Sequence, residues 1–173
     1  STDPEACLKL ARAFITAKVR NARTLLRRNH AQLEPTVLGQ FKQTIRKIAD
    51  CDSAASLLGL EGTAARVYFQ HFTGAFSQRS LGRFEFERRN RRPPTDPVNA
   101  LLSFAYALLL KDIVIAATTA GLDPLLGVYH QPRFGRPALA LDLMEEFRPI
   151  IADSVVLTAI NNEYLKKIPN LRS

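Results

Sequence analysis

Apolar residues recur along this chain at intervals of three and four and almost nowhere at intervals of two, so the pattern predicts helices and no strands. The first stripe runs Leu8, Ala11, Ile15, Val19, Ala22 and Leu26 down one face of a long helix, opened by Thr2 or Asp3 as a cap with Pro4 in the first helical position. Pro35 permits a second start, and Phe41, Ile45 and Ile48 stripe a helix that fades near Asp50. Asp52 or Ser53 caps a short third helix carrying Leu57 and Leu58, which breaks at Gly59. Ala64, Val67, Tyr68 and Phe72 then predict another helix from about Glu61 to Phe76.

The texture changes at "QRSLGRFEFERRNRRPPTDP", where a double proline forbids regular helix, and residues 78–95 read as a basic loop. Asp96 and Pro97 open the most apolar helix. Its run from Leu101 to Ala120 approaches membrane-spanning length, but Lys111 and Asp112 interrupt it, so it reads as a buried helix that stops at Gly121 in "GLDP", with no membrane partner. A loop from Leu122 to Pro137 leads into "LALDLMEEFRP" at 139–149, where Pro149 is placed to kink a last helix whose apolar spacing continues to about Leu165. The expectation is a single all-α domain over residues 1–173.

Charge adds a partner class. Twenty-four Lys and Arg against 16 Asp and Glu leave the 173-residue chain at +8, a balance that favours a polyanion such as nucleic acid over an acidic small molecule. The basic residues cluster three times: Lys18, Arg20, Arg23, Arg27 and Arg28; Arg79, Arg83, Arg88, Arg89, Arg91 and Arg92; and Arg133 with Arg136. They serve either a phosphate backbone or merely solubility and helix dipoles. Tyr68, Phe72, Phe84 and Phe86 are open to two readings, base stacking or core, and the spacing of the first two favours core. Cys7 and Cys51 have no paired spacing, which argues against a disulfide framework or thiolate metal site and fits a reducing cytoplasm. No phosphate-loop, dinucleotide or nucleophile-elbow signature is present. The opening "STDPEACLKL" lacks a methionine, as a processed product or a fragment would.

Three carboxylates then stand out. Asp142 and Glu145 share a helix face, and Glu146 lies on the same side, so they repel one another unless a cation or arginine intervenes. One reading makes them water-bathed acids near a helix N-terminus. The other joins them to His130, twelve residues before Asp142, and to Glu61, itself open to reading as a first-turn acid. One imidazole nitrogen with several carboxylate oxygens suits Mg²⁺ or Mn²⁺ and not structural zinc.

Three stretches read together carry a resemblance: "GLEGTAARVYF" at 59–69, "NRRPPTDPVNALLSFAYALL" at 90–109 and "GLDPLLGVYHQPRFGRPALALDLMEEFRP" at 121–149. They resemble the C-terminal helical domain of the CRISPR-associated spacer integrase family, Cas one. The resemblance implies an all-α catalytic domain and a divalent-metal-dependent DNA endonuclease and integrase that inserts spacers at the CRISPR repeat. It implies Glu61, His130 and Asp142 as metal ligands and catalytic residues, with Glu145 close to the metal. Asn99 and Tyr68 are implied near the site, and Arg66, Arg133 and Arg148 as phosphate or carboxylate contacts. Spacer and repeat DNA, a homodimer and the protein called Cas two are the implied partners. The β-rich N-terminal domain usual in that family has no counterpart in these residues, which fits a catalytic domain excised from a longer polypeptide. A non-catalytic DNA-binding or assembly module on the same scaffold is the competing reading.

Overall fold

The computed structural model describes residues 3–90, 93–130 and 133–164. Thr2 as the alternative cap, Arg91 and Arg92 of the basic loop, Pro132 and a helix end at Leu165 lie outside them. The described residues form six α-helices in order: α1 Pro4–Asn29, α2 Pro35–Ala49, α3 Ala54–Gln70, α4 Pro97–Thr119, α5 Ala138–Phe147 and α6 Ser154–Asn161. A 3₁₀ turn at Phe72–Ala75 follows α3, and a π-helical turn at Arg148–Asp153 joins α5 to α6. No strand occurs among the described residues.

Capping sets most of the boundaries. The side chains of Asp3, Ser53 and Asp96 accept from the backbone N–H groups of Glu5, Ser56 and Asn99, and Pro4, Pro35 and Pro97 stand in first-turn positions where a missing N–H costs nothing. Helix α4 ends where Gly121 takes φ +77°. The Leu122 N–H then donates to the Ala117 carbonyl at 2.9 Å, closing the turn that a left-handed glycine permits.

Helix α1 is the central element, packed against α2, α3, α5 and the π turn. Its Ile15, Val19 and Leu26 meet Phe41 of α2, Leu57 of α3, Leu102 of α4 and Leu157 and Ile160 of α6 in one core. The basic loop is anchored to that core. Ser80 donates to the Ile160 carbonyl at 2.8 Å, the Asn161 carboxamide bonds Ser77 and Ala75, and the Phe86 ring stands 5.7 Å from that of Phe72. Phe84 and Phe86 are therefore packing residues and not free base-stacking platforms.

Four expectations need correction. Helix α3 runs without a break through Gly59 and Gly62, because Ser53 nucleates it and packing on α1 and α2 outweighs roughly 1 kcal/mol of glycine penalty per residue. That continuity puts Glu61 in the middle of a helix, so it is not a first-turn acid. The helix ends at Gln70 instead of running to Phe76, its continuation tightening into the 3₁₀ turn. Helix α4 is less buried than its composition suggests. It has the length and hydropathy to cross a membrane, yet only 17% of its most apolar window is buried, because Val98, Leu102 and Leu109 pack inward while Phe104, Leu108 and Ile115 face outward.

Pro149 interrupts the last helix where expected, and the interruption takes the form of a π turn. It lacks the N–H that would donate to Glu145 and its ring crowds that carbonyl, and the chain responds by widening into the π turn before resuming as α6. The apolar pattern then ends its helix at Asn161.

The continuity of α3 is testable. A Cβ added at Gly59 meets nothing within 4 Å. Gly59→Ala is expected to stabilise the fold by about 0.5–1 kcal/mol in urea unfolding. No gain, or a loss, would contradict a helix running through "LLGLEG".

Candidate active site

The loop before α5 is folded around one carboxylate. Leu139 and Ala140 at the start of α5 donate to the Pro124 carbonyl at 2.9 and 3.4 Å, tying "GLDP" to the helix. Gly127 passes so close that a Cβ there would lie 2.5 Å from the Ala138 Cβ and 2.8 Å from the His130 carbonyl oxygen. The close approach aims three successive N–H groups at Asp142. Its Oδ2 accepts from Val128 at 2.6 Å and Tyr129 at 3.0 Å, and its Oδ1 accepts from the His130 N–H at 2.9 Å and the His130 Nδ1 at 2.6 Å.

Burial pushes the Asp142 carboxyl up, but the His130 ring and the three backbone N–H groups together hold it below its usual value. An ionised carboxylate only accepts, so Nδ1 carries a proton, and in the neutral tautomer this leaves the lone pair on Nε2. That Nε2 lies 3.8 Å from Glu145 Oε1.

Glu145, one turn after Asp142, is 1% exposed. The Arg148 Nη2 is 3.1 Å from its Oε1, and the Lys18 Nζ is 2.6 Å from its Oε2. The second contact is an ion pair only, since no donor is well directed at Oε2. Lys18 also pairs with Glu61 Oε1, while the Tyr129 hydroxyl donates to Glu61 Oε2 at 2.6 Å. Burial raises the Glu61 carboxyl, yet the Lys18 charge, the hydrogen bonds from Lys18 and Tyr129, and the Arg148 charge outweigh it and leave the group lowered. The Tyr129 phenol is pushed well up by burial and by the Glu61 carboxylate it donates to. Helix α1 thus contributes Lys18, α3 Glu61, α5 Glu145 and the preceding loop His130.

This geometry removes the water-bathed reading of the acids. Asp142 and Glu145 are both fully buried and paired, and neither stands in the first turn of α5. Glu146 contributes its backbone carbonyl, which accepts from Asn21 Nδ2 at 2.8 Å.

Glu61, Tyr129, His130, Glu145 and Arg148 share a cleft of about 1050 Å³ with Arg133 and Arg136. A smaller pocket of about 230 Å³ shares Glu61 and Arg148 with it and is lined further by Lys18, Tyr68, Tyr106 and Asp153. Tyr68 and Tyr106 donate to the two Asp153 oxygens at 2.9 and 2.7 Å, and burial raises that carboxyl to about 6 against these bonds. Tyr68 is thus a buried polar anchor beside the site. Asn99 acts at one remove: fully buried, it accepts from Arg89 Nη1 at 2.8 Å and the Asn90 N–H at 2.9 Å and donates to the Arg88 carbonyl at 2.9 Å, fixing the loop that places Arg89 over the Tyr106 ring. Arg66 is exposed and lines a separate groove with Arg88 and Arg89.

As the side chains stand, with the Lys18 ammonium between the carboxylates, no three His, Cys, Asp or Glu among the described residues form a ready metal cluster. The donors nonetheless suit a hard divalent cation: the buried Glu145 carboxylate, with an oxygen that lacks a directed hydrogen bond, the largely buried Glu61 carboxylate, and an imidazole whose Nε2 faces Glu145 while Nδ1 is held by Asp142. Sequence reasoning missed Lys18 and Tyr129 as site residues. Lys18 borders the stripe of Ile15 and Val19, a position that points a cation toward the core, and Tyr129 directly precedes His130.

The family model for CRISPR associated protein Cas1 matches residues 1–168. The chain belongs to the Cas1 family. It is 52% identical over 182 residues to a CRISPR-associated exonuclease Cas4/endonuclease Cas1 fusion of Geobacter sulfurreducens, covering all of this chain and 32% of that protein. Among solved structures it is similar to a casposase bound to integration product, with a TM-score of 0.78 and 28% identity over 94% of this chain and 45% of that one. It is also similar to a chain of a partial Cas6-RT-Cas1–Cas2 complex, with a TM-score of 0.82 and 32% identity over 96% of this chain and 49% of the other. This Cas1 chain thus spans about a third to a half of these three proteins. The Cas1 structures agree with the all-helical fold found here.

The Asp153 pair yields a pH prediction. Its folded value of about 6 lies above the ordinary 3.8, so the protonated form contributes stability that is present at acid pH and lost as pH rises through 6. Asp153→Asn cannot ionise. Its stability relative to wild type is expected to improve between pH 4 and pH 6.5, by roughly 3 kcal/mol at most, in paired urea titrations. A flat difference across that range would contradict a protonatable Asp153.

Proposed function

We propose that this chain is the catalytic domain of a divalent-metal-dependent DNA endonuclease and integrase of CRISPR adaptation. The observation that carries the reading is the meeting of Glu61, Glu145 and the His130 Nε2 in one cleft with Arg133 and Arg136, within a chain of the Cas1 family. Membership alone supports a nucleic-acid role. The buried, charge-compensated ligand set supports catalysis.

Within that reading Glu61, His130 and Glu145 are the ligands for Mg²⁺ or Mn²⁺. Asp142 is reassigned: four donors already use both its oxygens, so it orients His130 instead of touching the metal. A divalent ion bound there supplies Lewis-acid polarisation of a phosphate and neutralises charge in an in-line transition state. The chain's own residues do the rest. Tyr129 fixes Glu61, and Arg148 fixes Glu145 while its guanidinium lies 5.2 Å from the centre of the Tyr106 ring. Arg133 and Arg136 hold backbone phosphates across the cleft, contacts that position DNA without reading its sequence. An oxygen nucleophile forms one bond to phosphorus as another P–O bond breaks, so no oxidant or reductant is needed. The nucleophile is the 3′-hydroxyl of a spacer in integration and water in cleavage.

The partners follow from the relatives: integration-product DNA from the casposase, and Cas2 from the Cas6-RT-Cas1–Cas2 assembly. A homodimer is part of the same proposal.

Glu61→Gln, His130→Ala and Glu145→Gln are each expected to lower Mn²⁺-dependent strand transfer on branched DNA by about 10³-fold or more, and Asp142→Asn by about 10- to 100-fold through a misoriented His130. Retained strand transfer in all three ligand variants would leave the chain as a non-catalytic DNA-binding or assembly module.

A further inference from the structure

Lys18 stands between the two carboxylates assigned to the metal. Its ammonium pairs with Glu61 Oε1 and lies 2.6 Å from Glu145 Oε2, and its side chain is only 15% exposed. Glu145 is buried and Glu61 largely so, and two uncompensated carboxylates this close in a low-dielectric cleft would repel strongly. Arg148 compensates Glu145 but is held by it and by the Tyr106 ring, and the Tyr129 hydroxyl satisfies only the far oxygen of Glu61. Lys18 is in contact with both acids. We propose that Lys18 is the resident counter-ion of the metal-free site, holding Glu61 and Glu145 in place until a divalent cation displaces its ammonium.

The chemistry of lysine suits that task. An ammonium is a compact point charge on a flexible four-carbon stem, so it bridges two carboxylates without bidentate geometry and withdraws without moving its helix. The contact to Glu145 has that character, an ion pair lacking a directed hydrogen bond. A place to withdraw also exists, since Lys18 lines the pocket of about 230 Å³ that contains the Asp153 carboxyl. A divalent cation between the same carboxylates brings twice the charge of the ammonium, and the two cations repel. Binding is therefore an exchange, and the affinity measured for the metal is the intrinsic one reduced by the cost of moving Lys18. The benefit is a site assembled before metal arrives, with no pair of unpaired carboxylates in its empty state.

The inference rests on Glu61, His130 and Glu145 being the ligands, and the test separates the two claims. Mn²⁺ binding to the full chain without DNA is measured by electron paramagnetic resonance of the free ion, with thermal unfolding alongside. Lys18→Met, which keeps the stem and removes the charge, is expected to bind Mn²⁺ at least about tenfold more tightly, to melt lower without metal, and to gain more from Mn²⁺ than wild type. Lys18→Arg keeps the charge and the fold but grips both carboxylates with a planar fork, and it is expected to bind Mn²⁺ at least about tenfold more weakly. Should the Met variant fail to fold, the Arg variant alone decides. Mn²⁺ affinity unchanged in the folded Lys18 variants overturns the proposal, whatever happens to strand transfer. Wild-type Mn²⁺ binding that survives in Glu61→Gln and Glu145→Gln instead refutes the ligand assignment, and the exchange falls with it.

Discussion

A carboxylate taken out of water must be met by donors or cations, and this domain buries Asp142, Glu145 and much of Glu61 around one cleft. Each is compensated differently. Asp142 is satisfied by backbone, which demands a loop curled tightly enough to direct consecutive N–H groups inward. Glu61 and Glu145 are satisfied by side-chain cations from α1 and the π turn. The requirement explains features that packing alone does not. Gly127 is needed because any side chain would push the loop off α5, and α1 runs through the middle of the fold with a lysine at the border of its apolar stripe. Remove the carboxylates and little of this arrangement would have a reason.

The charge compensation also sorts the residues by what they can do. An acid whose oxygens are all engaged by N–H groups is a fixed part of the scaffold, and Asp142 passes its constraint to the imidazole it holds. Glu61 and Glu145 are instead bridged by one ammonium on a flexible stem, a looser form of compensation than fixed N–H groups. The neighbouring Asp153 is neither, because two phenols and burial leave it near the boundary between charged and neutral. One small region thus holds carboxylates under three different controls.

Much of this was legible in the sequence. The stripes of α1 and α2 appear as spaced apolar residues, and proline or aspartate marks the first turns where a helix needs them. The run "LLGLEG" misled because glycine is a poor helix former, and no local rule shows that the face beside it packs on two other helices. Asp142 was singled out, but its hydrogen bonds were not, since a metal ligand and a residue that orients a ligand have the same spacing from His130. The N–H groups of Val128 and Tyr129, which spacing cannot reveal, are what favour the orienting role. Lys18 was hidden for another reason. It comes from more than forty residues before Glu61, and its meaning depends on which way α1 is turned in the bundle.

The π turn at Arg148–Asp153 sets the angular phase of everything after it. With hydrogen bonds spanning five residues in place of four, Arg148 and Asp153 come onto nearly the same side, and both address Tyr106: one through its ring, the other through its hydroxyl. In an ordinary α-helix residues five apart point in widely divergent directions. The extra residue in that turn therefore works as a fixed dial setting between α5 and the last helix. Deleting a single residue there would leave the composition almost intact while rotating Asp153 away from both phenols and α6 out of its seat against the core.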